Sequence, residues 1–307
     1  MDGDDGAIRA AVFAWLREQL SLGQDVVHWS VLKDGFRFQG ETIHLVGQRG
    51  IWIPRQFDGR PASIRTTFNG PYDDDLAEDG FLLYRFQGTD PFNRDNCAMR
   101  PAMESRVPLV YFYAVSKGWY MPVFPVFVAG EDRAQLSFRV AVDPAYGIAP
   151  GQVVQFDASQ DPATESPLSV RRYILSVVRT RLHQGAFREQ VLGAYHERCS
   201  LCRLAHRELL DAAHIIPDRE PGGDPIVPNG LSMCKIHHAA FDRNFIGIAP
   251  DYTVEVNDEL LHETDGPMLR HGIQDLHGHR LIVPRREADR PDRERLARRY
   301  EQFRRAG

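Results

Sequence analysis

Two short motifs in the C-terminal part of the chain have the spacing of metal ligands. Cys199-Ser-Leu-Cys202 is a Cys-x2-Cys knuckle, and Cys234-Lys-Ile-His237 repeats its internal spacing. Thiolate and imidazole donors in two tight turns can close a tetrahedral shell around Zn²⁺, which leaves no position open for chemistry. We therefore expect these four side chains to hold a structural zinc ion. The remaining cysteine, Cys97, is alone in sequence and is expected to be an ordinary buried residue.

Three further polar residues lie between or beside the two knuckles. They are His214 in the stretch AHIIP, Asn229 in the stretch NGL, and His238 directly after a zinc ligand. Histidine can serve as a general base or as a ligand of a divalent cation. Because the Cys-x2-His spacing assigns His237 to zinc, His238 is expected to face the other way on its helix.

The knuckles and these polar residues together resemble the HNH endonuclease family, over about residues 170–250. In that family a ββα-metal motif presents a His from the first strand, an Asn from the following loop and a His from the helix. The resemblance implies that His214 is the general base and that Asn229 orients it or braces the loop. It also implies that His238 binds a catalytic divalent ion, Mg²⁺ or Mn²⁺.

The sequence departs from the family pattern at one position. Many HNH enzymes carry an Asp just before the first His as a second metal ligand, and that position here is Ala213. Asp211 would lie on the same side of an ideal strand as position 213, and Asp242 would lie one helical turn after His238. Either carboxylate could replace the missing ligand. Asp242 could equally be an ordinary charge on a helix face.

A second resemblance concerns the first half of the chain. The stretch with Tyr72, Asp75 and Tyr84 is similar to the pocket segment of SRA domains, which flip 5-methylcytosine out of duplex DNA. The spacing of the two tyrosines agrees, whereas Pro71 replaces a glycine. The resemblance covers about residues 45–130. It implies that the tyrosines stack on the flipped base while the carboxylate accepts from its N4 amino group. Taken alone, Tyr84 would be a core aromatic residue and the acidic run a solvated turn.

The elements that must position these residues fall into two groups. Short β-rich stretches with two amphipathic helices predict a domain over residues 1–143, in which prolines within 120–128 indicate an edge or bulged strand. A proline-rich segment predicts a linker over 144–167. Periodic apolar residues then predict one helix, or two helices divided at Gly185, at the start of a domain over 168–307. The expected fold class is α+β: a barrel-like, SRA-like domain with flanking helices, then a zinc-containing ββα-metal HNH domain.

Length and composition restrict the class of protein. With 307 residues, 43% of them hydrophobic and 26% charged, the chain is typical of soluble globular proteins, and no apolar run is long enough for a membrane helix. The acidic start lacks the basic residues of a signal peptide, so we expect a cytoplasmic protein without a membrane partner. The net charge of -5 does not exclude DNA binding, because a basic strip can lie on an acidic body.

These observations predict a modification-dependent DNA endonuclease that recognises 5-methylcytosine in double-stranded DNA by base flipping and cuts with an HNH site. Two alternatives stay open. One is an HNH nuclease that reads another mark, such as 5-hydroxymethylcytosine or phosphorothioate, and the other is a non-catalytic reader on a zinc-bound HNH platform. The presence of both His214 and His238 favours the enzyme. The sequence does not set the oligomeric state and leaves a homodimer open.

Overall fold

The structure is a computed structural model that describes residues 2–21, 25–68, 81–142, 167–264 and 266–306. The side chains of residues 2–4, 21 and 167–179 are not among those described. The chain divides into two compact units, Met1–Gly185 and Ala186–Gly307. Both units combine helices and strands, which confirms a mixed α+β fold. The predicted linker lies outside the described residues except for Pro167, and the predicted domain limits remain predictions.

The first unit is built on a curled, half-barrel sheet of seven strands. The strands of this sheet are β1 (Val27–His28), β4 (Ile51–Trp52), β5 (Ser63–Arg65), β6 (Leu82–Arg85), β7 (Leu109–Ser116), β8 (Trp119–Asp132) and β9 (Ser137–Val142). A separate hairpin consists of β2 (Phe36–Phe38) and β3 (Glu41–Ile43). The order in the sheet is β4-β5-β7-β8-β9-β6 with β1 beside β8, and β5 and β7 are its parallel pair.

Strand β8 lies inside the sheet, so of the two predicted alternatives, an edge strand or a bulged strand, the structure has the bulged one. It pairs with β7 on one side and with β9 on the other. Pairing with β9 begins only at Val126, after Pro122 and Pro125, and the register with β7 shifts between Val123 and Val126. The predicted bulge is therefore present. It accommodates the prolines because neither of them has to donate a hydrogen bond to β9.

Three helices of the first unit are α1 (Asp2–Ser21), α2 (Trp29–Asp34) and α3 (Arg94–Glu104). The predicted apolar face of α1 is buried, with Ile8, Val12 and Leu16 in the core. The guanidinium of Arg9 lies beside them and pairs with the Asp5 carboxylate at 2.6 Å. Because a buried charge needs a partner, this ion pair lets the helix place an arginine in an otherwise apolar interior.

The second unit contains a ββα motif. Its parts are β10 (Leu210–His214), β11 (Gly230–Cys234) and α5 (Lys235–Asp242), and the two strands are antiparallel. The other elements are β12 (Ile246–Ile248), β13 (Val254–Val256), α6 (Asp258–His262), α7 (Pro267–Gly272) and α8 (Arg293–Ala306). Apolar side chains of the motif and of the elements after it form one core, which includes Ala213, Leu231, Phe241, Ile246, Val254 and Leu296.

One helix, α4 (Pro167–Ala194), continues through the boundary between the units, so of the two predicted alternatives the structure has the single helix. A Cβ atom on Gly185 would lie 2.3 Å from Cε of Met121, which means that this glycine allows close packing and does not end the helix. Further along α4, Phe187 and Val191 enter the core of the second unit. Neither α4 nor any other helix among the described residues is long and apolar enough to cross a membrane.

Candidate functional site

The four predicted zinc ligands lie together in the second unit. The donor atoms of Cys199, Cys202, Cys234 and His237 are all within 4.8 Å of one another. Nδ1 of His237 lies 3.3 Å from Sγ of Cys199 and 3.3 Å from Sγ of Cys234. Three of these side chains are buried, and Cys202 is exposed. A Cys3His set of this size suits Zn²⁺, so the donors fit the ion that the sequence predicts.

Hydrogen bonds orient and polarise two ligands of this cluster, His237 and Cys199. Nε2 of His237 donates to the carbonyl oxygen of Gly272 at 2.7 Å, which leaves the lone pair of Nδ1 directed at the cysteines. Hydrogen bonding from Cys234, assisted by His237, holds the pKa of Cys199 well below its ordinary value although burial opposes the shift, while the same hydrogen bond raises the pKa of Cys234 and burial raises that of Cys202. Because the thiolate is the form of cysteine that binds zinc, the cluster favours the metal-binding form of Cys199.

Strands β10 and β11 bring His214 and Asn229 to the same end of their ladder. His214 ends β10 opposite Gly230, and Asn229 directly precedes β11. The Asn229 side chain accepts from the N–H of Ile216 at 2.9 Å and donates to its carbonyl oxygen at 2.9 Å. It also donates to the carbonyl oxygen of Asp224 at 3.1 Å. Of the two roles expected for Asn229, these contacts support the bracing of the loop between the strands.

An aromatic ring from α4, which the sequence did not indicate, covers the imidazole of His214. The ring of Phe187 stacks on it with centroids 4.0 Å apart and an interplanar angle of 21°. Gly230 permits this approach, since a Cβ there would lie 2.9 Å from the Phe187 ring and 2.3 Å from Val191. Nε2 of His214 is buried and has no hydrogen-bond partner among the described residues. Burial lowers the pKa of His214 and so favours the neutral ring.

His238 lies between two carboxylates. Its Nε2 atom is 3.3 Å from Oδ2 of Asp242, one turn later on α5, and its Nδ1 atom is 3.7 Å from Oδ2 of Asp211 on β10. Hydrogen bonding to Asp211 raises the pKa of His238, and the charge of Asp242 adds to this effect. Consecutive residues of α5 therefore serve two different groups: His237 contacts the cysteines and His238 contacts the carboxylates.

The two carboxylates differ in their other partners. Asp211 accepts from Nζ of Lys235 at 2.7 Å and lies 3.5 Å from Nε of Arg188. Burial opposes ionisation, but hydrogen bonds from His238 and Lys235 prevail and keep the pKa of Asp211 below its ordinary range. The side chain of Asp242 is 58% exposed and contacts the imidazole of His238. Asp211 is therefore already neutralised by cations of the protein, whereas Asp242 is open to solvent.

The charges that act on His214 identify its surroundings. After burial, the pKa of His214 responds to Asp218, His238 and Asp242. Asp218 is not among the site residues expected from the sequence, although its position directly after the stretch AHIIP is a signal that could have found it. The charges of His238 and Asp242 thus reach His214, and Asp211 lies beside His238.

The residues predicted for a modified-base pocket are described only in part, because Tyr72 and Asp75 lie outside the described residues. Tyr84 lies on β6 and is 3% exposed. Its ring is edge-on to that of Tyr111, with centroids 6.3 Å apart, and its hydroxyl donates to the carbonyl oxygen of Arg65 at 3.3 Å. Tyr84 is thus packed as a core aromatic residue, one of the two alternatives left open by the sequence, and the base pocket stays a prediction.

Comparison with known families agrees with the site geometry. Residues 199–249 match the family described as HNH endonuclease. This segment holds the Cys3His cluster together with His214, Asn229 and His238. The second unit therefore carries an HNH endonuclease domain, and the protein is a nuclease. No curated protein matches the chain significantly.

Two solved structures are similar to the chain at low sequence identity. One is described as a modification dependent TagI restriction endonuclease, with 16% identity and a TM-score of 0.28 over 79% of this chain and 81% of that one. The other is the type IV phosphorothioation-dependent restriction endonuclease ScoMcrA, with 15% identity and a TM-score of 0.24 over 85% of this chain. The chain covers 56% of the length of ScoMcrA, so it spans little more than half of that protein.

Proposed function

We propose that the protein is a metal-dependent DNA endonuclease in which His214 is the general base and His238, with Asp242, holds a divalent cation. The observation that carries this proposal is that the His238–Asp242 pair, 3.3 Å apart, and the His214 ring stacked under Phe187 lie within the segment that matches an HNH endonuclease. Asn229 is a positioning residue, because its contacts close the loop that follows His214. The Cys3His set is proposed to hold structural zinc, which fixes the start of α5.

His214 suits the removal of a proton from water. A general base must be unprotonated, and burial beside Phe187 lowers the pKa of His214, so the neutral imidazole predominates at neutral pH. The stacked ring and the end of β10 both restrict the direction of the imidazole. A base with a fixed direction can take a proton from a water molecule placed for in-line attack without first losing orientational freedom.

His238 and Asp242 suit the binding of Mg²⁺ or Mn²⁺. Nε2 of His238 and a carboxylate oxygen of Asp242 are 3.3 Å apart, and a carboxylate oxygen is the donor that such ions prefer. When bound, the cation would polarise the phosphate and stabilise the leaving oxygen. Asp211 is less suited to coordination because Lys235 occupies one of its oxygens. Its place beside Nδ1 instead lets Asp211 orient the imidazole of His238.

The pH dependence of cleavage should report the base. Because the pKa of His214 in the folded protein is below the ordinary value of 6.5, the ring stays neutral as the pH falls toward that value. We therefore expect kcat/KM to decrease only below it. A profile of kcat/KM from about pH 5 to about pH 8, at saturating cation, measures this decrease. An acid limb centred above the ordinary histidine value would contradict the assignment of a buried His214 as the base.

The first unit is proposed to read 5-methylcytosine in duplex DNA by base flipping. Support comes from the sequence similarity of the segment with Tyr72, Asp75 and Tyr84 to an SRA pocket. A base taken out of the duplex needs aromatic faces to replace lost stacking, and cytosine needs an acceptor for its N4 amino group. Tyr72 and Asp75 would supply one aromatic face and the acceptor, and Tyr84, which packs against Tyr111, would have to leave this packing to supply the other face.

Asp75→Ala is expected to remove the preference for modified DNA before it removes DNA binding. Loss of the acceptor leaves the N4 amino group unpaired and costs about 1–3 kcal/mol of base recognition. Backbone contacts persist, so salt-dependent binding to any duplex remains. Binding of wild type and variant is measured on duplexes that differ at one cytosine, which is unmodified, 5-methylated or 5-hydroxymethylated, and on a phosphorothioate duplex.

Asp73→Ala is the matched control, since Asp73 belongs to the same acidic run and has no expected contact with the base. It should keep the preference of wild type. Preference for 5-hydroxymethylcytosine or phosphorothioate would replace the proposed mark. Equal binding of wild type to all duplexes, or equal loss in both Asp variants, would overturn the base-flipping pocket.

A further inference from the structure

The C-terminal helix α8 is fixed closely to the second unit. Leu296 and Phe303 are buried in its core. A Cβ atom on Gly247 of β12 would lie 2.4 Å from the ring of Phe303, so this glycine lets the helix approach the strand. Because both of these apolar side chains are buried, α8 is held against the unit, and its arginines can reach neighbouring elements.

Two of these arginines hold the loop between the strands of the ββα motif, residues 215–229, here called the strand loop. Arg298 donates to the carbonyl oxygen of Pro221 at 2.6 Å and pairs with Glu220. Arg295 pairs with Asp224 at 3.0 Å. The carbonyl oxygen of Asp224 accepts from the side chain of Asn229. Arg295 and Asn229 therefore both hold Asp224, one at its carboxylate and the other at its carbonyl oxygen.

A third arginine holds the end of α5. Arg299 donates to the carbonyl oxygen of Phe241 at 2.6 Å and to the side chain of Asn244. Its guanidinium also lies over the Phe241 ring, 4.8 Å from the centroid. The carbonyl oxygen of Phe241 also accepts from the N–H of Asn244 at 3.1 Å, and a guanidinium at the end of a helix suits the helix dipole. Asp242 follows Phe241, so this contact fixes the turn that carries the Asp242 carboxylate.

We propose that α8 is a positioning element of the nuclease site. Through Arg295 and Arg298 it holds the strand loop, which begins after His214, and through Arg299 it holds the turn of α5 that presents Asp242 toward His238. One rigid helix thereby sets the distance between the base and the carboxylate. This inference rests on the proposed function for its catalytic consequence, whereas the contacts that it assigns are testable separately.

The test uses the zinc-loaded chain of 307 residues with two variants. One is Arg295→Ala with Arg298→Ala, and the other is Arg299→Ala. Each is expected to lower kcat by about 10–100-fold, because a small misplacement of reacting groups has an effect of that size. Zinc content should stay at the wild-type value, since the contacts described for the three arginines are with the strand loop, with the end of α5 and with α8 itself. KM for DNA should stay unchanged as well, because the proposed reader of the base belongs to the first unit.

Two measurements do not depend on cleavage. Hydrogen exchange in the strand loop should become roughly tenfold faster or more in the double variant, because charge-assisted hydrogen bonds to it are lost. In Arg299→Ala, exchange should instead rise at the end of α5, and Mn²⁺ binding measured by electron paramagnetic resonance should weaken. A general loosening of the unit would not produce these two separate patterns.

Arg305→Ala is the matched control on the same helix. The side chain of Arg305 is 81% exposed and pairs with Glu301 on α8 itself, so wild-type behaviour is expected in every measurement. Wild-type kcat in both test variants would overturn the proposal. Loss of activity together with loss of zinc, or with melting below the assay temperature, would also overturn it in favour of a purely stabilising role. If wild type cuts no DNA, the proposed function fails, and the exchange patterns still decide whether α8 positions these segments.

Discussion

His214→Ala is expected to abolish DNA cleavage in a protein that still folds, binds zinc and binds DNA. The variant removes the group that takes the proton from water, which corresponds to a loss of about 10²–10⁴-fold in the rate of cleavage. His238→Ala should cause a loss of similar size for a different reason, because it removes a donor to the divalent cation. Neither imidazole contributes a donor to the Cys3His cluster.

Single-turnover cleavage, DNA binding and zinc content are measured for each of these variants. His262→Ala serves as the control, because His262 is exposed and lies on α6 with its Nδ1 atom 2.8 Å from the carbonyl oxygen of Asp258. It should cut as wild type does. Cleavage near the wild-type rate in either His214→Ala or His238→Ala would overturn its assigned role.

Cys199→Ser is expected to unfold the second unit. Zinc binding supplies an apparent free energy of about 10–16 kcal/mol in small zinc-binding peptides, and a hydroxyl in place of the thiolate forfeits much of it. The wild-type chain should contain one tightly bound zinc ion, and the variant should contain little. Metal analysis, limited proteolysis and circular dichroism measure the zinc content and the fold.

Cys97→Ser is the matched substitution, since Cys97 lies in the first unit, where its Sγ atom contacts Arg100 at 3.2 Å. It should retain zinc and an intact second unit. Folded wild-type protein without zinc would show that the Cys3His cluster is not a structural metal site. A zinc-free Cys199→Ser variant with an intact second unit would show that the ion does not maintain the fold.

Residues close in sequence were the easiest to place. The two knuckles predict the Cys3His cluster because each pair of ligands spans one tight turn, and the structure brings all four donors together. The same locality applies to His214 and Asn229, since a two-stranded ladder places the end of one strand beside the start of the next. The curled sheet of the first unit was predicted only as a class, because alternation of apolar residues indicates strands without fixing their order.

Contacts between distant segments could not be predicted in the same way. Phe187 reaches His214 from another element, and the approach depends on the missing side chain of Gly230. Strand geometry made Asp211 a plausible metal ligand, yet Lys235 of the following helix occupies its oxygen. The central position of β8 likewise depends on where β9 begins to pair, at Val126, which no local pattern specifies.

The neighbouring histidines of α5 have a consequence for how the proposed enzyme loses its cations. The helix has eight residues, and His237 and His238 are consecutive on it. Release of the ion at His238 would leave the helix held by the cysteines, whereas release of zinc would free its first turn and dismantle both sites. The conditions that restore activity after treatment with a chelator should therefore depend on how long the treatment lasted. Brief exposure would be reversed by Mg²⁺ alone, and long exposure would require zinc to be restored first.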